Sequence, residues 1–270
     1  MAPVPSVAVF RSTLLARSET FVRSQALALS RYAPLFVGLH ETAGLPLPPE
    51  RTVILNPGGP GGRVRELAYA RLGRAGRLER ACRRVGVRVV HAHFGPDGLQ
   101  ALPLARALDV PLVVTFHGYD ATVDDDELLR AGGAARAFVQ RRDELMEGAA
   151  RFVAVSGFIR DELLARGFAA EKVQVHHIGI PVGGAPERGA RPRTVLFVGR
   201  LSEKKGLPDL LDAVARVPDA RLVLVGDGPL RAEIEHRVVA DGTQVELAGW
   251  QDPDGVRAAM TAARVLCVPS

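Results

Sequence analysis

Of the 35 basic residues in this chain only three are lysines, and two of those, Lys204 and Lys205, stand side by side. They fall in the segment Val195 to Gly206, whose apolar run ends at Gly199 and leads through Arg200 and a charged loop to a glycine placed to open a helix. A strand, a loop and a helix N-terminus in that order leave backbone N–H groups free to meet an anion. Arg200 adds a planar fork that matches phosphate oxygens, and Lys205 a mobile point charge. The chemistry predicted is a grip on phosphate. A solvated surface loop is the plain alternative, and the concentration of lysines here weighs against it.

Two further strand ends follow the same layout. Leu222 to Val225 runs into Gly226-Asp227-Gly228-Pro229, with glycines that allow close backbone approach and a proline suited to a first helical turn. Val245 to Ala248 runs into Gly249-Trp250, which is placed to offer backbone contacts to a flat ring. In the N-terminal half, His91-Ala92-His93-Phe94 and Thr115-Phe116-His117-Gly118-Tyr119-Asp120 each close a strand pattern. Alternation puts His91 and His93 on one face. Either can be a hydrogen-bonded core histidine. His117, past the strand and before a glycine, stands where a polar group meets a ligand.

Strands and helices alternate in the order needed to position these groups. Strand patterns cover 4–10, 35–39, 87–93, 110–116, 151–155 and 173–177. Helices are expected from Ser18-Glu19-Thr20, over 63–85, from Pro96-Asp97 to 108, from Asp124 to Gly148, and from an N-cap at Ser156 to Arg166. Residues 40–62, rich in Pro and Gly, read as loop, and 181–193 as a linker. The rhythm restarts with strands at 194–198, 221–225, 244–247 and 264–268 and helices at 206–216, 229–240 and 253–263. This is an α/β chain of parallel sheets, with domains at 1–180 and 194–270 and ligands beyond the carboxyl ends of the strands.

Bulk properties narrow the class. Apolar residues make up 47% and charged residues 24%, the make-up of a globular protein, not a disordered one. No apolar run reaches membrane-spanning length, and Met1 to Pro5 does not open a signal peptide, so a cytoplasmic protein is expected. Cys82 and Cys267 are far apart and read as small buried hydrophobes. The net charge of +5 comes from an arginine-biased composition without interleaved aromatics, so a nucleic-acid partner is not expected. Between Arg63 and Arg84 there are eight arginines and two acids, Glu66 and Glu79, with Leu67, Ala70, Leu78 and Ala81 as a candidate apolar stripe. That segment is either a solvated face or a contact for anionic lipid, which would make the protein peripheral on the inner membrane face.

Taken in order, SETFV, HAHFG, TFHGYD, AVSGFIRDEL, VGRLSEKKG, VGDGPL and a strand ending in VPS resemble the family 4 glycosyltransferases of the GT-B fold, nearest to bacterial members that build exopolysaccharides. The resemblance runs from about residue 4 to 270. It implies two Rossmann-like domains and retaining, metal-independent transfer of a sugar from a nucleotide-diphospho-sugar to a glycan, lipid-linked or small-molecule acceptor, without a cofactor. By the same resemblance Arg200 and Lys205 neutralise the donor diphosphate and His117 contacts the donor sugar. Gly199, Gly226, Asp227 and Gly228 border the nucleotide, Gly249 and Trp250 the nucleobase, and Ser18, Glu19, His93 and Asp120 belong to the acceptor side.

Three departures stand out. Residues 11–18 hold no glycine where the family has a Gly-rich loop. Gly179-Ile180 is followed by Pro181 instead of Asp. The sequence stops at Val268-Pro269-Ser270, before the family's pair of glutamates, so an incomplete second domain is expected. Other readings of the same residues are a sugar-nucleotide epimerase, a metal hydrolase using His91, His93 and His117, or a chain that binds without turnover.

Overall fold

The computed structural model describes residues 4–180, 191–241 and 244–269. It divides into two compact units, Met1–Pro181 and Val182–Ser270. Residues 181–190 of the expected linker lie outside the described residues.

In the first unit the apolar runs form a seven-stranded sheet: β1 (Ser6–Thr13), β2 (Ala33–His40), β3 (Thr52–Asn56), β4 (Val87–His93), β5 (Leu112–Phe116), β6 (Arg151–Ala154) and β7 (Val173–Val175). Their order is β3-β2-β1-β4-β5-β6-β7 and every pairing is parallel. Strands buried on both faces read as continuous hydrophobic runs, and β1 shows why. Ala8 and Phe10 join the core on one face of the sheet, and Val7 and Val9 the core on the other. The order of the strands reverses between β1 and β4, so the crevice of this sheet opens at their carboxyl ends.

The helices of this unit are α1 (Thr20–Leu27), α2 (Pro60–Leu72), α3 (Gly76–Arg84), α4 (Gly95–Leu108), α5 (Tyr119–Thr122), α6 (Asp125–Ala131), α7 (Gly133–Gln140), α8 (Arg142–Gly148) and α9 (Gly157–Ala165). Ser156 caps α9 as its position predicts, its Oγ accepting from the Ile159 N–H at 3.2 Å. Elsewhere the pattern misleads. The Pro- and Gly-rich stretch 40–62 contains β3, which pairs with β2. The long helix expected over 63–85 is two, because Gly73 takes a left-handed conformation (φ 64°) that ends α2. As a result Leu78 turns into the core and Ala81 is half-buried while Leu67 and Ala70 stay exposed, so the four residues do not form one stripe. The helix expected from Asp124 to Gly148 breaks at Gly132 and again at Arg141. Asp124 caps α6 without a side-chain bond; the acid that works is Asp125, ion-paired with both Arg142 and Arg166.

The second unit holds β8 (Thr194–Val198), β9 (Arg221–Val225), β10 (Val245–Gly249) and β11 (Val265–Leu266), ordered β10-β9-β8-β11 and again parallel. Its helices are α10 (Leu207–Ala215), α11 (Arg231–Asp241) and α12 (Pro253–Ala262). Phe197, Leu207, Leu211, Leu222, Leu224 and Ile234 make its core. The strand read over 264–268 is ordered as strand only at Val265–Leu266. Cys82 is buried as expected, with its thiol pushed up to about 12 by burial, but Cys267 is only half-buried.

Candidate functional site

At the carboxyl ends of β1, β4 and β5 three histidine rings line up. His91 and His93 stack with centroids 4.5 Å apart, and His93 and His117 with centroids 5.2 Å apart. His93 Nδ1 and His117 Nε2 share a hydrogen bond of 3.0 Å, and His91 Nε2 bonds Thr115 Oγ1 at 2.8 Å. The stack is possible because the rings are uncharged. Burial, with little help from elsewhere, lowers the His91 pKa to about 4. Burial first, then the neighbouring His91 and Arg11, lowers that of His117 to about 4 as well. His93, fully enclosed, is held well below the ordinary imidazole range by burial and by its three basic neighbours. His117 Nδ1 is buried with no hydrogen-bond partner. An orphaned polar atom at a strand end is a place for a ligand to make a bond.

Asp120 is not a free carboxylate facing an acceptor. It is buried, and it accepts from the backbone N–H groups of Gly95, His117 and Gly118 at 3.0, 3.1 and 3.0 Å. It thereby ties the start of α4 to the turn that carries His117. Burial pushes its pKa up, against those three donors. Glu19 is also spoken for. It caps α1 only by position, and its carboxylate takes a bidentate pair from Arg11, at 2.6 and 3.1 Å. Ser18 is exposed beside it. Of the four acceptor-side residues read from the sequence, His93, Glu19 and Asp120 are gathered at the same sheet edge, all three inside hydrogen-bond networks.

Two residues of this cluster, Arg11 and Asp97, do not read as site residues in the sequence, although Asp97 falls at the start of an expected helix. Arg11, at the end of β1, ion-pairs with Asp97 at the start of α4, and Ser12 gives that carboxylate two further bonds of 2.7 Å. Burial lowers the Arg11 pKa, but Glu19 and Asp97 more than offset this and the net direction is up. Burial raises that of Asp97, against Arg11 and Ser12. The only local signal was a charge directly after the apolar run Val7 to Phe10.

On the second unit, the turns after β8, β9 and β10 are laced together. Gly199 N–H donates to Val225, Gly226 N–H to Gly249, and Leu201 N–H to Asp227, at 2.8 to 3.0 Å. A Cβ on Gly226 would stand 1.9 Å from the Gly199 carbonyl, and one on Gly228 2.3 Å from that of Leu201. These glycines thus admit neighbouring backbone. Arg200 is exposed on this surface and Lys205 is half-buried, at the end of a single 3-10 turn, Glu203–Lys205. Gly206 (φ 61°) joins that turn to α10 as its N-cap, so the helix starts one residue after the 206 expected. Asp227 Oδ1 accepts from the Gly228 N–H at 2.8 Å. Trp250 is exposed just past Gly249, at 49% of its surface. Among the described residues no group of three or more His, Cys, Asp or Glu side chains is arranged to hold a metal ion. The three histidines spend ring nitrogens on each other and on Thr115 instead.

Two parallel-sheet units, each with its polar residues gathered at the carboxyl ends of its strands, define the GT-B class of α/β proteins, and the comparison of folds agrees. HepE from Anabaena, solved with UDP and glucose, aligns with a TM-score of 0.69 at 17% identity over 97% of this chain and 73% of its own. The family model for Glycosyltransferase Family 4 matches residues 19–183, and that for Glycosyl transferases group 1 matches residues 192–270. The chain belongs to glycosyltransferase family 4. Among its relatives is a glycosyltransferase of Methanocaldococcus jannaschii described as uncharacterized, 28% identical over 68% of this chain and 50% of that protein. Another is WcaL of Escherichia coli, provisionally named a colanic acid biosynthesis glycosyltransferase, 30% identical over 66% of this chain and 45% of its own. The chain thus spans about half the length of these relatives.

Proposed function

We propose that this protein is a retaining, metal-independent glycosyltransferase that moves a sugar from a nucleotide-diphospho-sugar to a glycan or lipid-linked acceptor. The observation that carries the reading is His117, an uncharged imidazole with an unpartnered nitrogen at the crevice of the first sheet. A neutral ring can bond a sugar hydroxyl without repelling the positive charge that builds on the sugar as its bond to the diphosphate breaks. The electron pair of that bond goes to the diphosphate. Arg200 and Lys205 are the cations assigned to it, fixed charges that stabilise the developing anion in the role a metal fills elsewhere. The nucleotide lies against the glycine turns of the second unit. HepE, which shares this fold and was solved with UDP and glucose bound, favours a donor of that kind.

The acceptor side belongs to the first unit. There α2 presents exposed Val64, Leu67 and Leu72 among arginines, which supports a peripheral contact with anionic membrane. No helix among the described residues is long and apolar enough to cross a bilayer.

The test is a panel of nucleotide sugars, read by thermal shift and by product analysis with and without an acceptor. Stabilisation by at least one donor and transfer that needs the acceptor are expected. A changed donor sugar without any acceptor would mean an epimerase, and no response to any donor would overturn the reading.

A further inference from the structure

The Arg11 guanidinium is held on four sides. Its Nε and one terminal nitrogen grip Glu19, and the other terminal nitrogen bonds both Asp97 and, at 3.2 Å, the His93 carbonyl. Its Cζ lies over the Phe94 ring, 4.5 Å from the centroid. Phe94 sits at φ 73° and ψ 144°, a conformation natural to glycine and strained for a residue with a side chain. Something must hold it there, and its ring is what Arg11 covers. The same ring leans on His117, centroids 4.7 Å apart. A second neighbour of the His117 ring is His93, through the 3.0 Å ring-to-ring bond, and a third is Phe21, with centroids 4.7 Å apart. Two of these three ring contacts lead back to Arg11, one through an aromatic face and one through a carbonyl.

From this we propose that Arg11 is a positioning residue for sugar transfer, acting through Phe94 and His93 to fix the ring of His117. The proposal rests on the reading of His117 as the group that meets the donor sugar. It also bears on the missing glycines of residues 11–18: a side-chain network anchored on Glu19 and Asp97 stands where the family has a Gly-rich loop. Lysine cannot replace arginine in this role, because a point charge has neither the fork for Glu19 nor the plane for Phe94.

The test is a mutant cycle in the full chain with a donor found to turn over. Arg11→Gln and Arg11→Lys are each expected to lower kcat by about 10²-fold, as misplacement of a reacting group does, with donor KM changed by less than about threefold. Phe94→Gly, which relieves the backbone while removing the ring, is expected to do the same and carries the test if the Arg11 variants do not fold. Arg11→Gln in a His117→Ala background is expected to add no further loss, since the two act as a unit. Losses that add in full, a full rescue by lysine, or a rise in KM alone would overturn the proposal. A His117→Ala variant as active as the parent would instead remove the reading of His117 itself.

Discussion

Three imidazoles stacked within a few ångströms could not all carry charge, and their common neutrality has a cost that pH exposes. For His91 the sign is direct. Its pKa is about 4 in the folded chain, against an ordinary value of about 6.5, so the unfolded chain takes up the proton first as pH falls. The stability this residue contributes is complete above about pH 6.5 and is lost on the way down to about 4, at no more than about 1.4 kcal/mol per pH unit. Asp97 and Asp120, with raised pKa values, work in the opposite sense, so the wild-type curve alone is ambiguous. The difference is not. His91→Gln should gain stability relative to the parent as pH falls from 6.5 to 4, measured as denaturant midpoints at each pH; parallel curves would show that His91 is not held neutral. This paired behaviour was half legible in sequence. His91, His93 and His117 announce themselves as polar residues ending apolar strands. Arg11 and Asp97 do not, because they meet across 86 positions and neither has a local pattern that names its partner.

At the scale of elements, the strand ends matter more than the strands. The alternation of β and α was readable because parallel strands buried on both faces leave uninterrupted Val, Leu and Phe runs, as in Leu222 to Val225. What could not be read was where a glycine breaks a helix and where it serves a close approach. Gly73 ends α2, and no period in the arginine-rich sequence marks that break. Gly226 looked like a glycine opened for a nucleotide, yet its immediate neighbour is the Gly199 carbonyl, and its φ of 137° is one that side chains avoid. Gly226→Ala meets both obstacles. It should cost about 3 kcal/mol or more, in the range of backbone strain combined with overpacking. Chemical denaturation of the parent and variant would measure it. A loss below about 1 kcal/mol would mean that the turns after β8 and β9 can part without penalty.

Across the whole molecule the chain carries a net charge of +5 and an isoelectric point near 9.7, but what bears on a membrane is where that charge meets apolar surface. The outer side of α2 exposes Val64 at 66%, Leu67 at 55% and Leu72 at 65%, with Arg63 and Arg71 among them, and Arg77, Arg80 and Arg84 are exposed on α3. The inward side of the same pair is committed to the core through Tyr69, Leu78 and Cys82. Apolar groups that stay exposed while their neighbours are buried, and that stand among arginines, match the two components of interfacial binding: insertion and attraction. Each arginine near an anionic surface adds about 1 kcal/mol, and salt weakens that part within a Debye length. The expected outcome is binding to vesicles containing anionic lipid that falls as salt rises. A triple change of Val64, Leu67 and Leu72 to serine should weaken it further at every salt concentration, because it removes the salt-independent part. Sedimentation with vesicles would measure both. Equal binding to neutral vesicles, or no binding at low salt, would leave α2 and α3 as a solvated face of the first unit.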